Sequence, residues 1–283
     1  MKFDKILSPA KINLSLNVLK RLSNNYHKIE SLVTFIELSD EIYIRLIKNK
    51  FNKISFSGKF SKGINKNHNT ITKLLKILKE KNLILNKKFE IKIKKNIPQK
   101  SGMGGGSMNA ANILIYLKKK KIIKTTNSKI NEIAKKIGSD VILGLERKNS
   151  ILFKNGDLSR LNCKTNFYVL ITKPNIGCNT EKIYSSVRKF TKSQYTNKNR
   201  LFFNIKNLVK SNNNLETVVL KKYPKIKSLK KFLMNLPDVI FVRMTGSGSS
   251  IVAYFKTRKK ANYASRIFMR KYKNYWLHVS KTI

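Results

Sequence analysis

Acidic residues are scarce in this chain. Its 283 residues hold 14 Asp and Glu against 61 Lys and Arg, a formal net charge of +47. That scarcity makes any carboxylate set among apolar neighbours conspicuous. Cysteine is nearly absent as well. Cys163 and Cys178 offer one possible pair in a long chain, which is no disulfide framework, so reduced thiols are expected. The three histidines, His27, His68 and His278, lie far apart without ligand spacing, which argues against a Cys/His metal centre. No apolar run approaches the roughly 20 residues of a membrane span. The start, MKFDKILSPAKINL, lacks a signal-peptide core of about 7–15 apolar residues and leaves no room for a transit peptide before its first motif. A soluble, cytoplasmic protein is expected, with no membrane partner.

The basic excess admits two readings. Lys and Arg release counterions from phosphates, so a nucleic-acid binder is one. The other is compositional bias, since Lys, Asn and Ile are all abundant. Lysine greatly outnumbers arginine, the residue suited to bidentate phosphate and guanine recognition, and the lysines are spread along the chain. Nucleic acid is therefore not the expected partner. A positive field would still speed capture of small anionic substrates. With 41% hydrophobic residues, the chain can build a core, and its length suits one large domain or two sharing a cleft.

Residues 1–60 read as β-rich. Ile12, Leu14 and Leu16 alternate with polar positions, as do Ile42, Ile44 and Leu46. Asn69 or Thr70 is placed to cap a helix running to about Lys79, with Ile71, Leu74, Leu75 and Leu78 on one face. Phe89, Ile91 and Ile93 predict a strand ending before Pro98. A glycine loop follows, then a helix from about Ser107 to Lys119. Ser128 is placed to cap a further helix with Ile130, Ile133, Ala134 and Ile137 on its buried face, and Gly138 to end it in the left-handed conformation. The Asn- and Lys-rich stretch 185–215 yields no assignment. Val239 to Val242 is a strand candidate, 244–255 reads as loop plus strand, and 257–273 as a lysine-rich amphipathic helix. Strands and helices mix without a βαβ rhythm, so the fold class is α+β, with a domain boundary near residue 155.

Five stretches carry chemistry. "IPQKSGMGGGSMNAANILIYL" has four glycines between Gly102 and Gly106, set between a strand and a helix. Glycine amides and a helix N-terminus suit phosphate. No Gly-Lys-Ser/Thr follows, so this is no Walker A motif, and Ser107 breaks the dinucleotide fingerprint. In "SPAKINLSLNV", alternation places Lys11 on the face of Asn13 and Ser15, away from Ile12 and Leu14. Asp140 in "IGSDVIL" stands between a helix stop and an apolar run, an N-cap position or a functional carboxylate. "RMTGSGSS" is a second Gly/Ser loop, and "NNYHKIES" carries Tyr26–His27.

Taken together, these stretches resemble the GHMP kinases, the family of galactokinase, homoserine kinase, mevalonate kinase and phosphomevalonate kinase. "PQKSGMGGGS" resembles the family's Pro-x-x-x-Gly-Leu-Gly-Gly-Gly-Ser. The order of "SPAKINL", Tyr26–His27, "GSDV" and "TGSGSS" narrows the likeness to a branch acting on a cytidine diphosphate-linked polyol, and it covers nearly the whole chain. It implies a two-domain fold with an active-site cleft between domain 1–155 and domain 156–283. Homoserine- and mevalonate-type kinases are the alternatives within the family.

The resemblance implies roles residue by residue. The ATP loop is Pro98, Gln99, Lys100, Ser101, Gly102, Met103, Gly104, Gly105, Gly106, Ser107 and Met108. Lys11 matches an active-site lysine and Asp140 a catalytic aspartate, with Lys11 beside Asp140 to keep it ionised. Asn13 lines the substrate site, Tyr26 and His27 hold the cytosine, and Tyr184 is a second aromatic over the base. Asn109, Gly246, Ser247 and Gly248 lie near the phosphates. ATP and the polyol are the implied partners, with Mg²⁺ bound mainly through the nucleotide and no metal site of the protein's own. Monomer and homodimer both remain open. Some positions depart from the pattern. Ile142 to Glu146 replace a proline- and glycine-containing continuation, Met103 replaces leucine, Asn24–Asn25 replace Asp-Gly, and Asn109 stands where many relatives have aspartate.

Overall fold

The computed structural model describes residues 2–23 and 26–283. Asn24 and Asn25, which stand before Tyr26, lie outside the described residues. In chain order the elements are β1 (Asp4–Arg21), β2 (His27–Ile47), β3 (Lys53–Ser57), α1 (Thr70–Glu80), β4 (Lys88–Lys94), α2 (Gly105–Lys119) and α3 (Asn127–Ile137), then a 3-10 turn (Val141–Leu145). There follow β5 (Asn149–Leu152), β6 (Leu158–Leu161), β7 (Tyr168–Lys173), α4 (Thr180–Ser185), a 3-10 turn (Arg200–Phe203), α5 (Ile205–Lys210), α6 (Asn214–Lys222) and α7 (Pro224–Met234). The last are β8 (Phe241–Met244), β9 (Ile251–Phe255), α8 (Arg258–Lys271) and β10 (Trp276–Lys281). This is the α+β mixture expected. No helix among the described residues is long and apolar enough to cross a membrane.

The chain forms two compact units, each assembled from several segments. The first comprises Met1–Ala10, Leu38–Gln99 and Gly104–Arg147, and the second Lys11–Glu37, Lys100–Met103 and Lys148–Ile283.

In the first unit, β2 runs antiparallel to β4 with Ile44 opposite Ile91, and β3 lies parallel to β4. Alternation buries Ile42, Ile44, Phe89, Ile91 and Ile93 on one face. Against that face pack Leu74 and Leu78 of α1, Ile113, Leu114 and Leu117 of α2, and Ile130, Ile133 and Ile137 of α3. Asn69 caps α1, its Oδ1 accepting from the amides of Ile71 and Thr72 while Thr72 returns a bond to Asn69. The cap of α3 is Thr126, not Ser128; its hydroxyl accepts from the Lys129 amide one turn on. Gly138 ends that helix with φ 175°, an extended conformation open to any residue, so the left-handed stop expected there is absent.

In the second unit, β10, β7, β9 and β8 form an antiparallel sheet in that order. Its core joins Leu170, Ile251, Ala253 and Phe255 to Leu215 and Val219 of α6, Ile226, Leu229 and Leu233 of α7, and Ala261, Ala264 and Phe268 of α8. Ser31–Val33 of β2 pairs with β5, and β5 with β6.

Candidate active site

The glycine loop of the first unit leaves β4 through a buried carboxylate. Asp40 Oδ1 accepts from the backbone amides of Asn96 (2.8 Å) and Ile97 (2.9 Å). Its Oδ2 accepts from the Asn109 amide (3.0 Å) and pairs with the Lys95 ammonium. Asp40 is fully buried and Lys95 nearly so. Such a pair persists in the interior because every lone pair is satisfied; removing one partner costs about 3–5 kcal/mol. Gln99 ties the same segment to the carbonyls of Phe60 (2.8 Å) and Lys62 (2.9 Å). Pro98 is buried just ahead of it.

Helix α2 begins two residues earlier than the expected Ser107. Its N-cap is Gly104, in the left-handed conformation at φ 67°, with no side-chain cap and no acidic residue in the first turn. The first turn thus brings no carboxylate of its own to the amides of Gly105, Gly106 and Ser107, and the helix dipole favours an anion there. An ideal Cβ on Gly105 would lie 3.3 Å from Lys95 Nζ, which puts that ammonium directly behind the helix start. Met108 and Asn109 are buried; Asn109 spends its amide on Asp40, and among the described residues its Oδ1 has no partner.

Asp140 also belongs to the first unit. It is partly exposed, has helical backbone angles and makes no side-chain cap bond, so the capping role does not account for it. The apolar run after it is a 3-10 turn. That turn packs closely on α2: an ideal Cβ on Gly144 would lie 2.7 Å from Ala111 Cβ and 2.9 Å from Met108 Sδ. The unusual continuation Ile142–Glu146 thus keeps a close approach at its one glycine.

In the second unit, β1 carries a buried polar row. Lys11, Asn13, Ser15 and Asn17 are all under 5% exposed, so Lys11 is no solvated surface lysine. Lys11 Nζ donates to Asn13 Oδ1 (2.7 Å), and Asn13 Nδ2 to Ser31 Oγ (2.8 Å). Ser31 Oγ donates to the Ser15 carbonyl (2.5 Å), and the Ser15 and Tyr195 hydroxyls lie 2.6 Å apart. Asn17 Nδ2 donates to Glu30 Oε1 (2.9 Å). Sharing one strand face, as the alternation of "AKINLSLN" predicts, these groups saturate one another and fix the Lys11 side chain.

Two Gly/Ser loops join that row. The Lys11 amide donates to the Met103 carbonyl (3.2 Å), the Asn13 amide to Thr245 Oγ1 (3.0 Å), and Thr245 Oγ1 to the Gly102 carbonyl (3.1 Å). The Ser249 amide donates to the Lys100 carbonyl and the Ser250 amide to the Ser101 carbonyl. Lys100–Ser101 and Ser249–Ser250 are thus laced together through backbone. Ser247 Oγ lies 2.8 Å from Thr180 Oγ1 at the start of α4.

The third feature is aromatic. The His27 imidazole lies 5.3 Å from the Tyr184 ring, and Tyr26 is exposed beside it in sequence. Both His27 ring nitrogens are buried, and among the described residues neither has a hydrogen-bond partner. Burial first, and the Arg21 charge second, lower the His27 pKa below its ordinary 6.5, so the ring is neutral at pH 7.

Sequence reasoning brought out Lys11, Asn13, His27 and Tyr184 but missed Asp40, Lys95, Glu30 and Thr245. The scarcity of acids was an available signal for Asp40 and Glu30: each is fully buried, and an unpaired buried carboxylate would be costly. Thr245 had none, because its bonds span the length of the chain.

Residues 69–146 match the GHMP kinases N terminal domain, and residues 201–274 match the GHMP kinases C terminal domain. The chain belongs to the GHMP kinases. Within that family it is 50% identical to the 4-diphosphocytidyl-2-C-methyl-D-erythritol kinase of Pelagibacter ubique (strain HTCC1062), covering 99% of both chains. It is 29% identical to the enzyme of that name from Clostridioides difficile (strain 630), covering 98% of this chain and 95% of the relative. A crystal structure of 4-(cytidine 5'-diphospho)-2C-methyl-D-erythritol kinase has the same fold, with a TM-score of 0.79 at 22% identity over 98% of this chain and 99% of that one. Homoserine kinase from Cytophaga hutchinsonii follows at 0.71 and 15% identity, over 100% of this chain and 95% of that one.

Proposed function

We propose that this GHMP kinase transfers the γ-phosphoryl group of ATP to the 2-hydroxyl of 4-diphosphocytidyl-2-C-methyl-D-erythritol, a step of isoprenoid-precursor synthesis that bypasses mevalonate. One observation carries the choice of substrate. His27 is a neutral imidazole beside the Tyr184 ring, with no partner for either nitrogen among the described residues, and a cytosine edge offers a donor and an acceptor. Homoserine and mevalonate have no ring to stack there. The named relatives support the same choice.

In the reaction, the substrate oxygen forms a bond to Pγ as the bond from Pγ to the β-bridging oxygen breaks, and ADP leaves. The transition state is loose, so positioning and charge stabilisation outweigh base strength. Asp140 orients the hydroxyl and takes its proton. The Lys11 ammonium, oriented by Asn13, offsets charge on the moving phosphoryl. The uncapped start of α2 receives the phosphates, with Gly246, Ser247 and Gly248 approaching them from their own loop. Mg²⁺ neutralises phosphate charge when bound. Among the described residues no group of three His, Cys, Asp or Glu is placed to hold a metal ion. The boundary between the family's two domains is proposed near residue 155, and the protein's place is proposed as the cytoplasm.

An ADP-release assay across the cytidylated polyol, homoserine and mevalonate tests the reading. Turnover should be confined to the first; preferred turnover of either other substrate rejects it.

A further inference from the structure

Resting on the cytidine reading above, we propose that Phe190 is a further substrate-binding residue, an aromatic wall of the base site beside His27 that the sequence did not reveal. It lies in the stretch 185–215, where periodicity yielded no element. Its ring stands 6.5 Å from the His27 imidazole at a tilt of 31°, close to the 39° tilt of Tyr184. Both rings thus lie within the distance range of aromatic pairs with the same imidazole.

An exposed phenylalanine by itself is unremarkable, and Phe190 is 44% exposed. The chain around it is what gives it meaning. Upstream, the Val187 amide donates to the Tyr184 carbonyl (3.0 Å), so the segment leaves α4 in a tight turn. Immediately downstream, the Thr191 amide donates to the Val18 carbonyl (3.0 Å) and the Thr191 hydroxyl to Asn214 Oδ1 (3.0 Å). Glu30, fully buried, then accepts from Ser193 Oγ (2.8 Å) and the Gln194 amide (2.6 Å). A surface loop is seldom held by so many bonds to a strand and a buried carboxylate. The bonds hold an apolar ring in water at a fixed place, which lowers the ordering cost when a planar ligand arrives.

The division of labour follows from the chemistry. A phenyl face stacks on any pyrimidine, so Phe190 supplies affinity without reading the base. The His27 nitrogens, which have no hydrogen-bond partner among the described residues, read the edge. Losing Phe190 should therefore weaken cytidine and uridine nucleotides alike.

Calorimetric titration of cytidine 5′-monophosphate and uridine 5′-monophosphate into the full chain, beside steady-state kinetics, is the test. Phe190→Ala should weaken both nucleotides by about ten-fold and raise KM for the cytidylated polyol by a similar factor. KM for ATP, kcat and Tm should hold, and Phe190→Trp should restore binding. Wild-type binding by Phe190→Ala overturns the proposal. Equal weakening by the Ala and Trp variants, or a parallel loss of ATP affinity and Tm, also overturns it by showing a structural role. If the unaltered protein turns over the polyol while Phe190→Ala does so equally well, Phe190 alone is removed. If the unaltered protein neither binds cytidine 5′-monophosphate nor turns over the polyol, the cytidine reading falls as well.

Discussion

An ideal Cβ on Gly102 would lie 2.0 Å from the carbonyl oxygen of Thr245, and Gly102 itself has φ 75°. The two Gly/Ser loops approach so closely that no side chain fits between them. Gly102→Ala should therefore destabilise the protein by more than about 1 kcal/mol, since conformation and space both exclude a methyl group. Gly106 differs: a Cβ there would meet nothing nearer than the Thr70 hydroxyl at 3.4 Å. Gly106→Ala should keep Tm and raise KM for ATP. An unchanged KM would show that phosphates do not approach the backbone at Gly106.

Asp140→Asn should lower kcat by at least about 10²-fold while leaving ATP affinity intact, because the variant keeps the shape but not the proton acceptor. Lys11→Ala should lower kcat comparably. Asn13→Ala should cost less, since it removes one partner of the ammonium and not the ammonium itself. Near-normal turnover by Asp140→Asn removes Asp140 from the chemistry.

The His27 pKa lies below 6.5, so the ring stays neutral as pH falls past that value and charges only below it. Once charged, both nitrogens donate and neither accepts. In stability terms the fold disfavours the charged ring, so this contribution is complete above pH 6.5 and lost as pH falls through the lowered pKa. Values of kcat/KM for the cytidylated polyol should be level above about pH 6.5 and fall on the acid side. His27→Asn should lack that acid limb; if it keeps the limb, another group is responsible.

Cys178 is buried, and burial raises its thiol pKa to about 11 despite the nearby Lys173 and Lys222 charges. Cys163 is only partly buried. At pH 8 a thiol reagent should label Cys163 rapidly and Cys178 slowly, with the second rate rising in denaturant. Equal rates in the native protein would contradict the burial of Cys178.

Where local chemistry decides, residue pattern was enough to read the fold. The helix capped by Asn69 and the strand through Phe89, Ile91 and Ile93 could be placed because both signals act within a few residues. Alternation also placed Lys11, Asn13 and Ser15 on one face. Placement failed where neighbours compete: Thr126 and Ser128 are both fit to cap, and only the path of the chain selects Thr126. The Val141–Leu145 run is too short for periodicity to separate strand from helix, and its packing against α2 selects the 3-10 turn. The stretch 185–215 has only a 3-10 turn, the short α5 and the start of α6, and buried Glu30 with part-buried Asn214 holds Thr191, Ser193 and Gln194 in place.

Sequence alone determined the family and the order of its motifs, because glycine, helix start and polar spacing are local properties. Only the tertiary structure decided that Gly102 backs onto Thr245, that Glu30 anchors Ser193 and Gln194, and that the His27 ring lies near both Tyr184 and Phe190 with, among the described residues, no hydrogen bond to either nitrogen. Those relationships join residues far apart in the chain. They arise from which buried polar groups must find partners when strands and loops pack, a requirement no local pattern expresses.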